Sequence, residues 1–201
     1  MTAPFVVVPV VEGHGEVAAV PILLRRMVEK MDPTQPVEVL APIRGQRSKL
    51  VRPEDVGRFL DLAARKLGSR EGVVLVLVDA DDDCAATLGP QLLDVCRTAR
   101  PDLPVAVVLA VAEFEAWFLA AAESLRGQRA LADDLVPPED PEAVRDAKGW
   151  LQRHRRDGLA YTETVDQPAL AAVFDLETAR ERSPSFDKLW RDVEKLRIPT
   201  T

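Results

Sequence analysis

Cysteine is scarce in this 201-residue chain, and the two thiols present, Cys84 and Cys96, flank a helix-like stretch where they do not reach one another. Their spacing is not that of a zinc site either, so they read as reduced, structural residues and a disulfide scaffold is excluded. No apolar run approaches the roughly 18 residues that a membrane-spanning helix needs. Met1-Thr2-Ala3-Pro4 leads directly into a strand-like segment, without the basic region or cleavage site of a secretion signal. The expectation is a cytoplasmic protein with no membrane association. Internal repeats, low-complexity tracts and a phosphate-binding P-loop are all absent from the sequence. With 47% hydrophobic and 29% charged residues the chain is neither disordered nor collagen-like, and its length suits one good core. A formal net charge of −7 argues against a general nucleic-acid coating protein. It leaves room for an enzyme whose acidic site has a local basic rim.

What the chain does have is buried strands that end in acid. Val73 to Val78 is six consecutive apolar residues, the pattern of a strand covered on both faces in the centre of a parallel sheet. It runs into Asp79-Ala80-Asp81-Asp82-Asp83. Aspartates packed this densely repel one another, so at the end of a buried strand they point to a cation, most naturally a hard divalent ion such as Mg²⁺. Were the strand to continue, Asp79, Asp81 and Asp83 would share one face. A solvated turn capping the next helix is the alternative. Phe5 to Val11 is a second apolar run, interrupted by Pro9, which suits a bulge or a near-edge position. It stops at Glu12-Gly13-His14-Gly15-Glu16, before a helix expected over Val17–Met31. The two glycines let backbone approach a ligand closely, and the helix would aim its N-terminal amides into the same loop. Glu12 would then share the sheet rim with Asp79 and Asp81, where ligands bind in open α/β sheets. His14 is a candidate proton relay, or a hydrogen-bonded loop residue.

Val37–Pro42 is a short strand candidate, followed by Arg44-Gly45-Gln46-Arg47-Ser48-Lys49. Arg44, Arg47 and Lys49 suit a phosphate-handling loop, or else a solvated basic turn. Pro53–Leu67 and Leu88–Ala99 read as helices, and Val105–Ala112 as the fourth buried strand. Glu113 and Glu115 follow it. Extended backbone there would put both on one face, as a second metal position needs, whereas the alternative has one of them capping the next helix. Ala116–Ala122 looks like a buried helix, and residues 125 to 141 form a polar excursion. Helices are expected over Pro141–Arg156, Thr164–Phe174 and Leu176–Arg182. Ser185–Leu196 closes the chain as an amphipathic helix with Ser185 as its N-cap. The order predicts an α/β fold: a mostly parallel four-stranded sheet flanked by helices over 1–124, with a helical extension over 125–201 packed on the same domain.

Six islands carry a resemblance. Val11-Glu12-Gly13-His14-Gly15-Glu16, Asp79-Ala80-Asp81-Asp82-Asp83, Glu113-Phe114-Glu115-Ala116-Trp117-Phe118, Asp146-Ala147-Lys148-Gly149-Trp150-Leu151, Tyr161-x-Glu163-Thr164-x-Asp166-Gln167 and Ser185-Phe186-x-Lys188-Leu189 resemble a bacterial domain family of unknown function, numbered 4276. That family is regarded as similar to the Toprim domain of topoisomerases, primases and OLD-family nucleases. The resemblance implies a Toprim-like sheet and a Mg²⁺- or Mn²⁺-dependent nuclease, in which Glu12, Asp79 and Asp81 are catalytic and bind metal. Glu16, Asp83, Glu113 and Glu115 are candidates for further metal ligands, and Lys148 or Lys188 for an assisting lysine. Arg44, Arg47, Lys49 and His14 would contact a nucleic-acid substrate. The sole tyrosine, Tyr161, lies outside the Toprim core, which favours hydrolysis over strand passage. Domains of this kind often accompany an ATPase in bacterial defence systems, so a partner-dependent or non-catalytic subunit is a competing expectation, and a small-molecule phosphohydrolase another.

Overall fold

A computed structural model describes residues 4–197, and the Met1-Thr2-Ala3 start lies outside them. Five strands form the sheet: β1 (Phe5–Val11), β2 (Val37–Val39), β3 (Ile43–Arg44), β4 (Val73–Asp79) and β5 (Val105–Ala110). The spatial order is β2-β1-β4-β5, β3 continues the edge beside β1, and every pairing is parallel. The expected parallel α/β architecture is therefore present. The fifth strand arises because the expected Val37–Pro42 strand is shortened to β2 and a separate short strand, β3, follows it, so that Arg44 belongs to β3 instead of a loop.

Pro9 accounts for the gap between β2 and β3. Val7 O accepts a hydrogen bond from Leu40 N and Val11 O accepts one from Gly45 N, so by alternation Pro9 faces the same neighbour. Opposite it the edge is interrupted between β2 and β3, where a missing N–H leaves no ladder partner stranded.

Nine helices are described: α1 (Glu16–Met31), α2 (Arg47–Leu50), α3 (Pro53–Leu67), α4 (Ala85–Ala99), α5 (Ala116–Ala120), α6 (Ala147–Arg153), α7 (Glu163–Ala171), α8 (Leu176–Arg182) and α9 (Pro184–Arg197). The continuous apolar strands are sorted by their pleat. Val6, Val8, Val10, Val74, Val76 and Val78 face one core with Leu50, Val56, Leu60 and Leu92 from α2, α3 and α4. Val7, Val11, Leu75, Leu77 and Val108 face the other, with Leu23 and Met27 of α1, Trp117 of α5, Leu170 of α7 and Phe186 of α9. Phe114, Trp117, Phe118, Phe174 and Phe186 cluster there, edge to face except for the tilted Phe114–Trp117 pair. No helix among the described residues is long and apolar enough to cross a membrane.

Three local expectations are corrected. Ser183, not Ser185, caps α9: its Oγ accepts from Phe186 N at 3.1 Å, while Ser185 is buried and accepts from Trp117 Nε1 at 2.8 Å. The helix expected over Pro141–Arg156 is confined to α6, because Asp140 and Asp146 each turn a side chain back onto backbone amides and start separate turns. Strand β5 ends at Ala110, and Ala112 adopts a left-handed φ of 58°. Glu113 and Glu115 therefore do not share a strand face; Glu115 stands at the start of α5 in helical conformation.

Candidate functional site

Both long central strands deliver acid to the carboxyl rim of the sheet. Glu12 follows β1, and Asp79 is the last residue of β4. Asp79 is buried, and its Oδ1 accepts from Phe114 N at 2.8 Å. Beyond it β4 cannot continue, since Asp81 takes φ 49° and its amide donates to the equally left-handed Ala112 at 3.1 Å. The expected common face of Asp79, Asp81 and Asp83 is therefore broken. Arg47 of α2 gathers the turn instead: it donates to the carbonyls of Asp79 and Ala80 at 3.0 Å each and pairs with Asp81 and Asp83. Arg145 pairs with Asp82 from the other side, and with Asp81, Asp82 and Glu113 it lines a separate cavity of about 320 Å³.

Glu16, in the first turn of α1, is 4% exposed and reaches back to accept from Glu12 N at 3.0 Å. Gly15 lets α7 lie against this turn. A Cβ at Gly15 would stand 2.2 Å from Gln167 Oε1 and 2.6 Å from the Glu163 carbonyl oxygen. Gly15→Ala is therefore expected to push α7 away, lowering stability by about 1–3 kcal/mol in urea unfolding. Helix α7 is tied down by Asp166, whose carboxylate accepts from Thr162 N and pairs with Arg129 and Arg155.

Through α7 and α6 the C-terminal part completes the site. Lys148 Nζ lies 3.0 Å from Glu163 Oε1 and 4.0 Å from Glu115 Oε2. Glu115 is fully buried, and its Oε1 accepts from Tyr161 Oη at 3.0 Å and from Gln167 Nε2 at 3.1 Å. A cavity of about 260 Å³ is walled by Glu12, Glu16, Asp79, Lys148, Glu163 and Gln167, with His14, Arg44 and Arg47 on its rim. Arg44 reaches the Glu12 carbonyl at 3.5 Å, and His14 is exposed.

The electrostatics are one-sided. Burial pushes the Glu12 carboxyl up, and repulsion from Asp81 adds to it. Burial raises Glu16 to about 7 and Glu115 to about 7. Asp79 is raised well above the usual range by burial and then by Glu16 and Glu115. Burial works against the Lys148 ammonium, yet Glu115 and Glu163 outweigh it and hold its pKa above the ordinary value. Glu12 Oε2, Glu115 Oε2 and Gln167 Oε1 are buried without a hydrogen-bond partner among the described residues.

Of the residues singled out in the sequence, the fold brings Glu12, Glu16, Asp79, Lys148, His14, Arg44 and Arg47 to one cavity, with Glu115 buried behind Lys148. Asp81 and Asp83 stay in the Arg47 pair at its margin, and Glu113 instead accepts from Lys148 N at 3.2 Å. Lys188 is elsewhere. Its Nζ donates to Val107 O at 2.8 Å, midway along the outer strand β5, and pairs with Asp192, so it covers a sheet edge. Lys49 is exposed on α2 and does not line the cavity. Sequence alone assigns no role to Glu163, Gln167 or Tyr161. The one signal for them was their shared island, Tyr161-x-Glu163-Thr164-x-Asp166-Gln167.

Among the described residues no three His, Cys, Asp or Glu side chains are grouped to hold a metal ion. Donor type and charge still fit a hard divalent cation, since Glu12 and Asp79 offer oxygen only, one of Glu12's oxygens has no partner, and such ions take one or two carboxylates and leave the rest to water or substrate.

Fold and site together define a class: a parallel α/β protein with a carboxylate-walled cavity at the carboxyl rim of its sheet. Within that class the chain belongs to the family described as Domain of unknown function (DUF4276), which it matches over residues 11–194. No curated protein and no solved structure matches it.

Proposed function

We propose that this chain is a metal-dependent phosphodiester hydrolase of the Toprim type, acting on a nucleic-acid backbone. The observation that carries the reading is the gathering of Glu12, Glu16, Asp79 and Glu115 around one lysine, with carboxylate oxygens left unpartnered. Negative charge of that density calls for a cation. Glu12 and Asp79 would hold Mg²⁺ or Mn²⁺, which when bound supplies Lewis acidity and a lowered pKa for a coordinated water. Phe114 N fixes the orientation of Asp79. In this reading Glu12, whose pKa is raised by burial, would take a proton from an attacking water. Lys148 offsets the charge that develops on the phosphoryl oxygens, and Arg44 at the rim meets the incoming backbone.

The test is plasmid DNA, or a single-stranded RNA, incubated with the purified protein and Mg²⁺ or Mn²⁺. Nicking is expected, abolished by a chelator and reduced roughly a hundredfold in Glu12→Gln. Turnover of a generic aryl phosphodiester without nucleic-acid cleavage would replace the nuclease with a small-molecule phosphohydrolase. A second reading, in which a partner such as an ATPase must act first, is favoured by one observation: Arg47 holds Asp81 and Asp83 out of the cavity. Absence of cleavage with either metal until such a partner is added would select it.

A further inference from the structure

We infer that Glu115 and Glu163 form a two-carboxylate cradle that positions Lys148 at the acid cavity, so that Glu115 serves the lysine and not a metal. Lys148 stands in the first turn of α6, where the helix dipole disfavours a cation. Something must offset that placement. Glu163 reaches the ammonium at 3.0 Å from α7, and Glu115 approaches at 4.0 Å from the turn after β5. The Glu163 contact alone is a half-exposed pair of the kind that contributes little.

Glu115 makes the difference. It has no solvent exposure, so its charge is stable only beside an opposite charge. Its two oxygens are also divided: Tyr161 and Gln167 both donate to Oε1, and Oε2, with no hydrogen-bond donor, is the one that faces Lys148. The backbone of the lysine is pinned as well, since Lys148 N donates to Glu113 Oε2 at 3.2 Å. Held at both ends, Lys148 lines the same cavity as Asp79, Glu16 and Glu12. Glu115 and Glu163 are therefore positioning residues, and Tyr161 and Gln167 fix the orientation of the first.

The geometric part of this inference is independent of what the site does, and its consequence for turnover rests on the hydrolase reading. Two measurements on the full chain separate them. Trace acylation with acetic anhydride across pH 7–10, read by mass spectrometry, is expected to modify Lys148 roughly tenfold or more slower than exposed Lys49. Glu163→Gln and Glu115→Gln should each speed Lys148 labelling several-fold without changing Lys49, and Glu163→Asp should restore slow labelling. Unchanged labelling in both glutamine variants overturns the cradle. In metal-dependent cleavage Glu163→Gln should lower kcat with KM unchanged, and add no further loss in a Lys148→Met background. Additive losses, or wild-type turnover by Glu163→Gln, overturn the positioning role. Responsive labelling in a protein that on its own cleaves nothing upholds the cradle and removes the autonomous hydrolase.

Discussion

In metal-free buffer the protein is expected to unfold more easily at pH 8 than at pH 5.5, the reverse of proteins whose acids are held by salt bridges. Glu16 and Glu115 each have a folded-state pKa of about 7 against an ordinary 4.5, and burial is the main cause for both. A carboxyl group whose folded pKa is raised binds its proton more tightly in the native state. The stability this gives is complete below pH 4.5 and lost as pH rises through 7. At 1.36 kcal/mol per pKa unit the loss is about 3 kcal/mol for either group alone, an upper figure because both interact with the buried Asp79 and do not titrate independently. Asp79 and Glu12 are shifted in the same direction. Below about pH 4 the trend turns over, because Asp166 and Asp175 have lowered pKa values, and the ion pairs of the first and the helix-capping hydrogen bond of the second to Thr178 N are lost on protonation. Urea titrations at half-unit pH steps with EDTA should therefore show a maximum near pH 5. Added Mg²⁺ should lift the alkaline side selectively, as binding to the native state requires. A flat profile between pH 5 and 8 would contradict the one-sided electrostatics from which the function is argued.

Asp79→Asn is expected to move stability and activity in opposite directions. The side chain is buried and its Oδ1 accepts from Phe114 N, a contact that asparagine keeps. What the substitution removes is a charge that burial, Glu16 and Glu115 all oppose. The variant should gain about 1–3 kcal/mol at pH 8 and show a shallower alkaline slope. Cleavage should fall roughly a thousandfold, because the same charge is the one asked to hold a cation. Stability and cleavage falling together would mean that Asp79 has a structural role, and the proposed hydrolase would lose its centre.

The sheet was legible in the sequence because its strands are continuous apolar runs, a pattern that a parallel sheet with helices on both faces produces directly. The acids Glu12 and Asp79 were legible for the same reason, since the end of a buried strand has one rim to face. What followed them was not. Whether Asp81 and Ala112 continue a strand or turn left-handed depends on a hydrogen bond between two chain segments 31 positions apart, and no local periodicity encodes it. Likewise Lys148 and Lys188 are equivalent as isolated residues. Only the docking of α6 beside the cavity and of α9 along β5 separates them. Glu163 and Gln167 reach the cavity because Gly15 admits α7 against α1, a steric permission that in sequence looks the same as access for a ligand.

That arrangement also sets the order in which the protein can become competent. The first strand, its loop and the aspartate turn are all present by residue 83, yet the lysine that tempers them and the helix that walls them arrive only with residues 147–171. A chain interrupted between these parts, by a protease or by incomplete synthesis, would keep its carboxylates and have no enclosure around them. Under the hydrolase reading, assembly of the last helices would thus be a built-in safety catch.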